Sequence, residues 1–117
     1  MSSIGAGNAS PDAMLNKVFG MVLMWKGKGE DHLRKSGLPY TIVRPGGLGD
    51  CDPGTVGLRI ATDSNVGEGR ICRADVGLVM AASVGNKDAL GKTFAVLEDK
   101  SAPVAAWKTS FTKLKRD

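Results

Sequence analysis

Few residues of the chain have the types and spacing that catalysis requires. His32 is the single histidine among 117 residues, so a histidine-based triad would have to use it, and no nucleophile elbow accompanies it. Cys51 and Cys72 lie 21 positions apart and have no partners at metal-ligand spacing. We therefore expect a solvated His32, no metal site and no assigned catalytic residue.

A phosphate-binding turn is also missing from the sequence. The stretch Gly5-Ala6-Gly7-Asn8-Ala9-Ser10 begins like a dinucleotide-binding fingerprint, but only four residues precede it and its third glycine position is Ser10. No other segment matches that fingerprint or the G-x-x-x-x-G-K-[ST] loop. The chain on its own is therefore not expected to cradle a pyrophosphate.

Composition indicates one globular domain spanning residues 1–117. Hydrophobic residues make up 42% and charged residues 24%. The longest apolar run, residues 18–25, is too short to cross a bilayer, and the first seven residues have no features of a secretory signal. Two cysteines make no disulfide framework. These observations predict a cytoplasmic protein without a membrane span.

The net charge of +4 does not by itself indicate a nucleic-acid partner. Residues 1–99 hold eleven basic and eleven acidic side chains, so the whole excess lies in residues 100–117. A basic end on a terminal helix complements the negative end of the helix dipole. We therefore predict a basic C-terminal helix and no binding of nucleic acid.

Periodicity places these residues on alternating helices and strands, an α/β pattern. Three main helices are predicted: one from Ser10-Pro11-Asp12 to Ser36, one starting near Asp75 and one starting near Ser101. Two main strands are predicted at Tyr40–Val43 and Thr93–Leu97, and a small hairpin joins Leu58–Thr62 to Arg70-Ile71 through a turn at residues 63–69. The expected buried stripes are Leu15, Val18, Val22, Trp25, Gly29 and Leu33 on the first helix, Val76, Val79, Met80 and Val84 on the second, and Val104, Trp107, Phe111 and Leu114 on the third.

Glycines inside the first predicted helix need an explanation of their own. Gly20, Gly27 and Gly29 each cost up to about 1 kcal/mol relative to alanine in a helix interior. A close neighbour at these positions would explain them. We therefore expect another part of the chain to approach this helix tightly.

The most informative stretch runs from Met24 to Leu48 and reads MWKGKGEDHLRKSGLPYTIVRPGGL. It resembles the pattern W-K-x-K-x-E-x-x-L-x-x-S-G-L-x-Y-T-I-x-R-P-G-x-L, which follows the fifth strand in atypical short-chain dehydrogenase/reductases. These are the NAD(P)H-binding, NmrA-like and sugar-epimerase-like Rossmann proteins. Further segments resemble the end of the family's fifth strand, the start of its next helix and its last strand: Ser2–Gly5, Arg73–Val76 and Thr93-Phe94.

The resemblance covers nearly the whole chain but only the second half of the family's fold. It implies a half Rossmann domain that keeps the nicotinamide side and lacks the glycine-rich half that binds pyrophosphate. Two strands kept from such a sheet would lie side by side. The chain is then either a truncated reading frame or a half-domain that works with a partner chain supplying the other half.

The resemblance also assigns cofactor positions. Ser3 matches the hydroxyl residue at the active-site end of the fifth strand, and Lys26 matches the lysine that holds the nicotinamide ribose. Pro45, Gly46, Gly47 and Leu48 match the turn that packs against the nicotinamide. The family's proton-donating tyrosine falls at Val22, which can neither donate nor accept a proton. The implied cofactor is NADP or NAD, bound weakly or not at all by the isolated chain.

Two functions remain open at this point. The first is a fragment of an NAD(P)-binding oxidoreductase or epimerase-like protein, inactive alone. The second is a non-enzymatic, self-associating interaction module in which the ligand positions are vestigial. In both cases an opened sheet edge and the apolar stripe of the first helix favour a homodimer or larger homo-oligomer.

Overall fold

The computed structural model describes residues 1–8, 10, 12, 14–62 and 67–117, with only the backbone of Asn8 and Leu15. These residues form three α-helices and five strands, in the order of two helices, four strands, the third helix and the last strand. The helices are α1 Met14–Val18, α2 Val22–Lys35 and α3 Arg73–Ser83, and the strands are β1 Thr41–Pro45, β2 Gly47–Gly49, β3 Leu58–Ala61, β4 Arg70–Cys72 and β5 Lys92–Glu98. Two 3₁₀ helices, Ala6–Asn8 and Ala106–Lys113, complete the order.

The two main strands predicted from the sequence are confirmed as neighbours. β1 and β5 pair in parallel, with Val43 opposite Phe94, and β3 pairs antiparallel on the other side of β5. The N-terminal residues run along the free edge of β1, where the Ser2 N–H donates to the Val43 carbonyl at 2.7 Å and the Ile4 N–H to the Pro45 carbonyl at 3.0 Å. This edge of β1 is therefore covered by the chain itself.

The predicted hairpin is wrong. Leu58–Ala61 does not pair with Arg70–Cys72; it pairs with β5, while Arg70–Cys72 pairs in parallel with Gly47–Gly49. The predicted turn lies partly at residues 63–66, outside the described residues. A three-residue strand carries no measurable alternation, so periodicity could not indicate the β2–β4 pair.

The core lies on one face of the three-stranded sheet, between the sheet, α3 and the C-terminal 3₁₀ helix. Phe111 contacts Phe94 edge to face at 5.6 Å and Trp107 at 6.2 Å between ring centroids. Successive side chains of a strand point to opposite faces. Val43 and Phe94 therefore enter this core, while Arg44 and Thr93 point to the other face, where α2 packs.

The first helix is broken, and its predicted buried stripe is wrong at Val18, Trp25 and Gly29, while the side chain of Leu15 lies outside the described residues. Gly20 and Met21 have φ values of +64° and +63°, which end α1 and turn the chain before α2. Val18 and Trp25 are exposed, at 62% and 64% of their surface, and α2 instead buries Leu23 and Glu30. The predicted helix start includes Pro11, outside the described residues, and the first helical residue is Met14.

A buried asparagine joins the two helical segments. The Oδ1 atom of Asn16 accepts hydrogen bonds from the N–H groups of Leu23 (2.8 Å) and Met24 (3.3 Å), and its Nδ2 atom donates to the Ser10 carbonyl. The first N–H groups of a helix have no partner within the helix. Asn16 therefore caps α2 across the break, although it lies seven residues before Leu23.

Close packing on the glycines is confirmed at one position. A Cβ atom at Gly27 would lie 2.5 Å from the Ala6 carbonyl oxygen, so only glycine lets the N-terminal segment lie against α2. Gly20 and Gly29 have open space around the Cβ position. The predicted end of the helix is also confirmed, because Gly37 adopts a φ of +76° directly after the Ser36 cap.

The two later helices differ from prediction at their ends. Val76 and Val79 are buried as expected, but Val84 follows α3 and is exposed. The basic C-terminal helix predicted over residues 100–117 is a 3₁₀ helix at Ala106–Lys113 that buries Trp107 and Phe111, while Val104 lies before it and is exposed. None of the described helices is long and apolar enough to cross a membrane.

The expectation that the two cysteines make no disulfide framework needs correction. Cys51 and Cys72 form a disulfide, with their Cα atoms 5.6 Å apart. The parallel pairing of β2 and β4 brings the two residues together, because Cys72 is opposite Gly49 in the register. That pairing was not readable from the sequence, and so neither was the disulfide.

Candidate functional site

The carboxyl end of β1 brings together five of the six predicted cofactor positions. Ser3 precedes Ile4, whose N–H donates to the Pro45 carbonyl, and the Gly46 N–H donates to the Val96 carbonyl at 3.2 Å. Gly47 and Leu48 continue outward into β2. Ligands of open α/β sheets bind beyond the carboxyl ends of the strands.

The two glycines of this turn have different surroundings. A Cβ atom at Gly46 would lie 2.3 Å from Leu97 Cδ2 and 2.4 Å from the Gly69 carbonyl oxygen. Gly46 is thus required by packing inside the protein. A Cβ atom at Gly47 would meet nothing closer than 3.6 Å, and Gly47 and Leu48 are exposed. The backbone at Gly47 is therefore accessible to a ligand.

Lys26 lines a cavity to which no residue of this turn contributes. It stands one turn after Val22 on α2 and lines a cavity of about 250 Å³ together with Ser2, Glu30 and Thr41. Thr41 is the first residue of β1, so this cavity opens beside the amino end of the strand. His32, on the same helix, is exposed as predicted.

A buried ion pair fixes α2 to the sheet beside these residues. The Arg44 guanidinium donates to both carboxylate oxygens of Glu30, at 3.0 and 2.6 Å, and the Glu30 side chain is only 4% exposed. Burial acts to raise the pKa of Glu30, but hydrogen bonds from Arg44 and Arg34 outweigh it and lower the pKa. Glu30 is therefore a buried anion held by two arginines, not a proton donor.

The ion pair continues into a network that reaches the last residue. Arg34 donates to Glu30, to the Thr93 hydroxyl and to Asp117, and Thr93 and Tyr40 donate their hydroxyl protons to Asp117. Burial opposes ionisation of Asp117, but the hydrogen bonds from Thr93, Tyr40 and Arg34 prevail and lower its pKa. Burial and the bond to Asp117 raise the pKa of Tyr40.

A larger cavity, of about 430 Å³, lies on the other face of the sheet at the amino end of β1. It is lined by side chains of β1, α3 and the segment after α3, among them Val43, Met80, Val84 and Leu90. None of the six predicted positions lines it. Its mostly apolar wall and its place away from the carboxyl ends of the strands distinguish it from the cofactor positions.

Sequence reasoning missed the Glu30–Arg44 pair and the disulfide. Both members of the ion pair are fixed letters of the quoted pattern, so the pattern itself held the signal. Cys51, Cys72 and Asp75 also form a cluster whose sulfur and oxygen atoms lie within 4.8 Å of one another. Because the two sulfurs are bonded to each other, neither is a thiolate ligand in this state.

Comparison with known proteins shows which family the sequence matches. The NAD(P)H-binding family matches residues 1–87. Among curated relatives, the chain is 34% identical over 108 residues to Protein TIC 62, chloroplastic, of Pisum sativum, covering 89% of this chain and 20% of that protein. It is 37% identical over 92 residues to sanguinarine reductase of Eschscholzia californica, covering 75% of this chain and 34% of that protein.

Solved structures share the fold. A putative NAD-dependent epimerase/dehydratase from Bacillus halodurans superposes with a TM-score of 0.76 at 32% identity, covering 92% of this chain and 48% of that one. The ChuY protein of E. coli strain CFT073 superposes with a TM-score of 0.72 at 27% identity, covering 87% of this chain and 56% of that one. The mixed α/β arrangement is thus a partial Rossmann-like fold, and the chain spans about half the length of these structures and less of the curated relatives.

Proposed function

Since this chain belongs to the NAD(P)H-binding family, we propose that it forms the nicotinamide-side half of an oxidoreductase or epimerase-like protein. In this proposal Ser3 and the turn Pro45–Leu48 form the wall against which the nicotinamide end of NADP or NAD lies. The observation that carries it is the open backbone at Gly47 beyond the carboxyl end of β1. An assignment to the atypical short-chain branch rests on the sequence pattern alone.

Lys26 has a separate role in the proposal. Its place in the sequence pattern supports contact with the nicotinamide ribose, while its cavity lies beside Ser2 and Thr41. A lysine on a flexible four-carbon stem can reach a ligand from such a position. Replacing Lys26 by alanine is therefore a test of the ribose contact that leaves the Pro45–Leu48 turn unchanged.

We further propose that the isolated chain is inactive as a reductase. The pyrophosphate of a dinucleotide is bound at a glycine-rich turn opening a helix, and the sequence has no such turn. Val22 also stands where the proton donor would be. The variant Val22→Tyr is expected not to restore turnover, because the phosphate-binding half must be supplied by another segment or a partner chain.

Fragments of the cofactor test the proposal directly. Nicotinamide mononucleotide and ADP are each titrated to millimolar concentration into ¹⁵N-labelled protein, and amide signals are followed. We expect nicotinamide mononucleotide to shift the signals of Ser3, Gly46, Gly47 and Leu48, and ADP to leave them unchanged. Intact NADPH and NADH should bind no tighter than millimolar by calorimetry.

Matched variants separate ligand contact from folding. Gly47→Ala should remove the nicotinamide mononucleotide shifts while the protein stays folded, because the added methyl meets no protein atom closer than 3.6 Å. Gly77→Ala, on the exposed side of α3 with open space around it, should keep the shifts. The proposed nicotinamide wall is wrong if nicotinamide mononucleotide shifts none of the turn signals. Micromolar binding of NADPH would instead contradict the expectation that the isolated chain binds the dinucleotide weakly, and its loss in Lys26→Ala would support the ribose contact.

A further inference from the structure

The loop that follows the Pro45–Leu48 turn, residues 50–57, is held to the start of α3 by an ion pair, a disulfide and a hydrogen bond. Asp50 forms an ion pair with Arg73, Cys51 is bonded to Cys72, and the Gly54 N–H donates to Asp75 Oδ1 at 2.7 Å. One covalent and two polar contacts therefore join this loop to residues 72–75, and the Asp99 N–H donates to the Gly57 carbonyl at its far end.

Cys51 and Cys72 differ in how accessible they are to solvent. Cys51 lies on the exposed loop, whereas Cys72 is 1% exposed at the junction of β4 and α3. A thiol in solution can therefore approach the disulfide from the Cys51 side. Cys72 is also the N-cap residue of α3, an 11-residue helix whose N-terminal dipole stabilises a thiolate.

The carboxylate of Asp75, beside the disulfide, supplies a second and independent observation about this site. Asp75 is 1% exposed, and its Oδ2 atom has no hydrogen-bond partner, although a carboxylate oxygen of Asp75 lies within 4.8 Å of both sulfurs. A buried acceptor without a donor costs free energy. A disulfide has no proton to give it, but a thiol at Cys72 does.

We propose that Cys51–Cys72 is a thiol–disulfide exchange site for a dithiol reductant. A thiolate of the reductant attacks Sγ of Cys51, the bond to Cys72 breaks and Cys72 leaves as the thiolate. The second thiol of the reductant then displaces Cys51 and completes the reductant's own disulfide. The reductant loses two electrons and two protons, which reside afterwards on the two cysteine thiols, and the Cys72 thiol donates to Asp75 Oδ2.

Reduction leaves the polar contacts of Asp50 and Gly54 as the described links between the loop and the start of α3, while the Gly57 carbonyl still accepts from the Asp99 N–H at its far end. Because Cys72 is in register with Gly49, opening the bond also removes the covalent link next to the three-residue β2–β4 ladder. Short ladders open with low free energy. Amide hydrogen exchange in residues 50–57 is therefore faster in the reduced protein than in the oxidised protein.

The experiment identifies which sulfur is attacked. Folded, oxidised protein is exposed briefly to glutathione, quenched with acid, alkylated and mapped by peptide mass spectrometry. We expect the glutathione adduct on Cys51 and the alkylated thiol on Cys72. An adduct confined to Cys72, or a disulfide that reacts only when the protein is unfolded, overturns the proposal.

Two further measurements test the roles of Asp75 and of the loop. In a glutathione redox buffer, Asp75→Asn should lower the reduced-to-oxidised ratio about fivefold, the value of one hydrogen bond, and the distant Asp88→Asn should not change it. Hydrogen exchange at residues 50–57 should rise on reduction with dithiothreitol and in Cys51→Ser, but not in oxidised Asp50→Asn, which keeps the disulfide. Equal exchange in the oxidised and reduced proteins would contradict the tethering role.

Discussion

The two adjacent glycines of the Pro45–Leu48 turn are expected to respond differently to an added methyl group. At Gly46 an added methyl would meet Leu97 Cδ2 at 2.3 Å and the Gly69 carbonyl at 2.4 Å, and backbone cannot move away as a side chain can. We expect Gly46→Ala to lower the free energy of unfolding by about 1–3 kcal/mol, the usual cost of overpacking. Gly47→Ala should change it by less than about 0.5 kcal/mol.

Urea denaturation of the two variants checks this difference. The slope of the free energy with urea concentration should be the same for both, because neither changes the surface exposed on unfolding. Equal destabilisation by the two substitutions would show that the close approach of Gly69 and Leu97 does not limit the turn. The pair also allows loss of ligand binding to be separated from loss of stability.

Removing one member of the Glu30–Arg44 pair is expected to lower the free energy of unfolding more than replacing both members by apolar residues. Arg44→Met leaves Glu30 buried with Arg34 as its remaining cation, which should lower the free energy of unfolding by about 3 kcal/mol. The double variant Glu30→Met, Arg44→Met removes both charges and should be more stable than Arg44→Met alone. A double variant less stable than the single one would show that the pair stabilises the fold beyond the cost of an unpaired charge.

At the scale of elements, the sequence predicts those helices and strands that a local hydrophobic pattern or a helix-end signal indicates. β1 and β5 are runs of apolar and β-branched residues buried on both faces, and Ser36-Gly37 ends α2 where expected. The break at Gly20-Met21 was not predicted, because the hydrophobic spacing continues through it while Asn16 caps the second segment from outside. The β2–β4 pair and the disulfide depend on tertiary pairing between segments 21 residues apart, and no local signal contains that.

For the candidate site as well, the sequence indicated the position of some residues and not of others. The quoted pattern located the Pro45–Leu48 turn, and the structure places it with Ser3 at the carboxyl end of β1. Lys26 was grouped with them by resemblance, but the structure places it on a cavity that none of them lines, beside the amino end of β1. Position along a helix does not determine which end of a neighbouring strand a side chain reaches.

The attachment of the chain's last residue to β5 and α2 is expected to depend on pH. Asp117 has a lowered pKa in the folded protein, so it contributes stability above the pKa it has in the unfolded chain. That contribution is lost as the pH falls through the folded pKa. Asp117→Asn should therefore lower the melting temperature near neutral pH and flatten its decline below about pH 4.

Thermal melts between pH 7 and pH 2 provide the measurement. The control is Asp88→Asn, since the Asp88 side chain is exposed, and it should keep the acid decline of the parent protein. An unchanged acid decline in Asp117→Asn would show that the hydrogen bonds from Thr93, Tyr40 and Arg34 do not contribute to stability. Glu30, whose pKa is also lowered, would then be the remaining candidate for the decline.

At the scale of the whole molecule, the α1–α2 region presents large apolar side chains to solvent. Met14, Val18, Phe19 and Trp25 are all more than half exposed, and the Lys28 ammonium lies 4.3 Å from the centre of the Trp25 ring. β3 forms a second candidate surface, because within the described part of the chain it is the last strand of the three-stranded sheet, after β5. Contiguous apolar surface and open strand edges are both typical of interaction sites.

We propose that the chain forms a homodimer or larger homo-oligomer through the α1–α2 region, the β3 edge or both. Light scattering at micromolar concentration should give a mass above that of the 12.2 kDa monomer, and the melting temperature should rise with protein concentration. Val18→Glu should dissociate an α1–α2 contact without unfolding the protein, because Val18 is exposed. Leu78→Glu, a matched change on an exposed position of α3, should leave the assembly intact. Retained assembly in Val18→Glu would place the contact at β3, and a monomer mass for the parent protein with a concentration-independent melt would contradict the proposal.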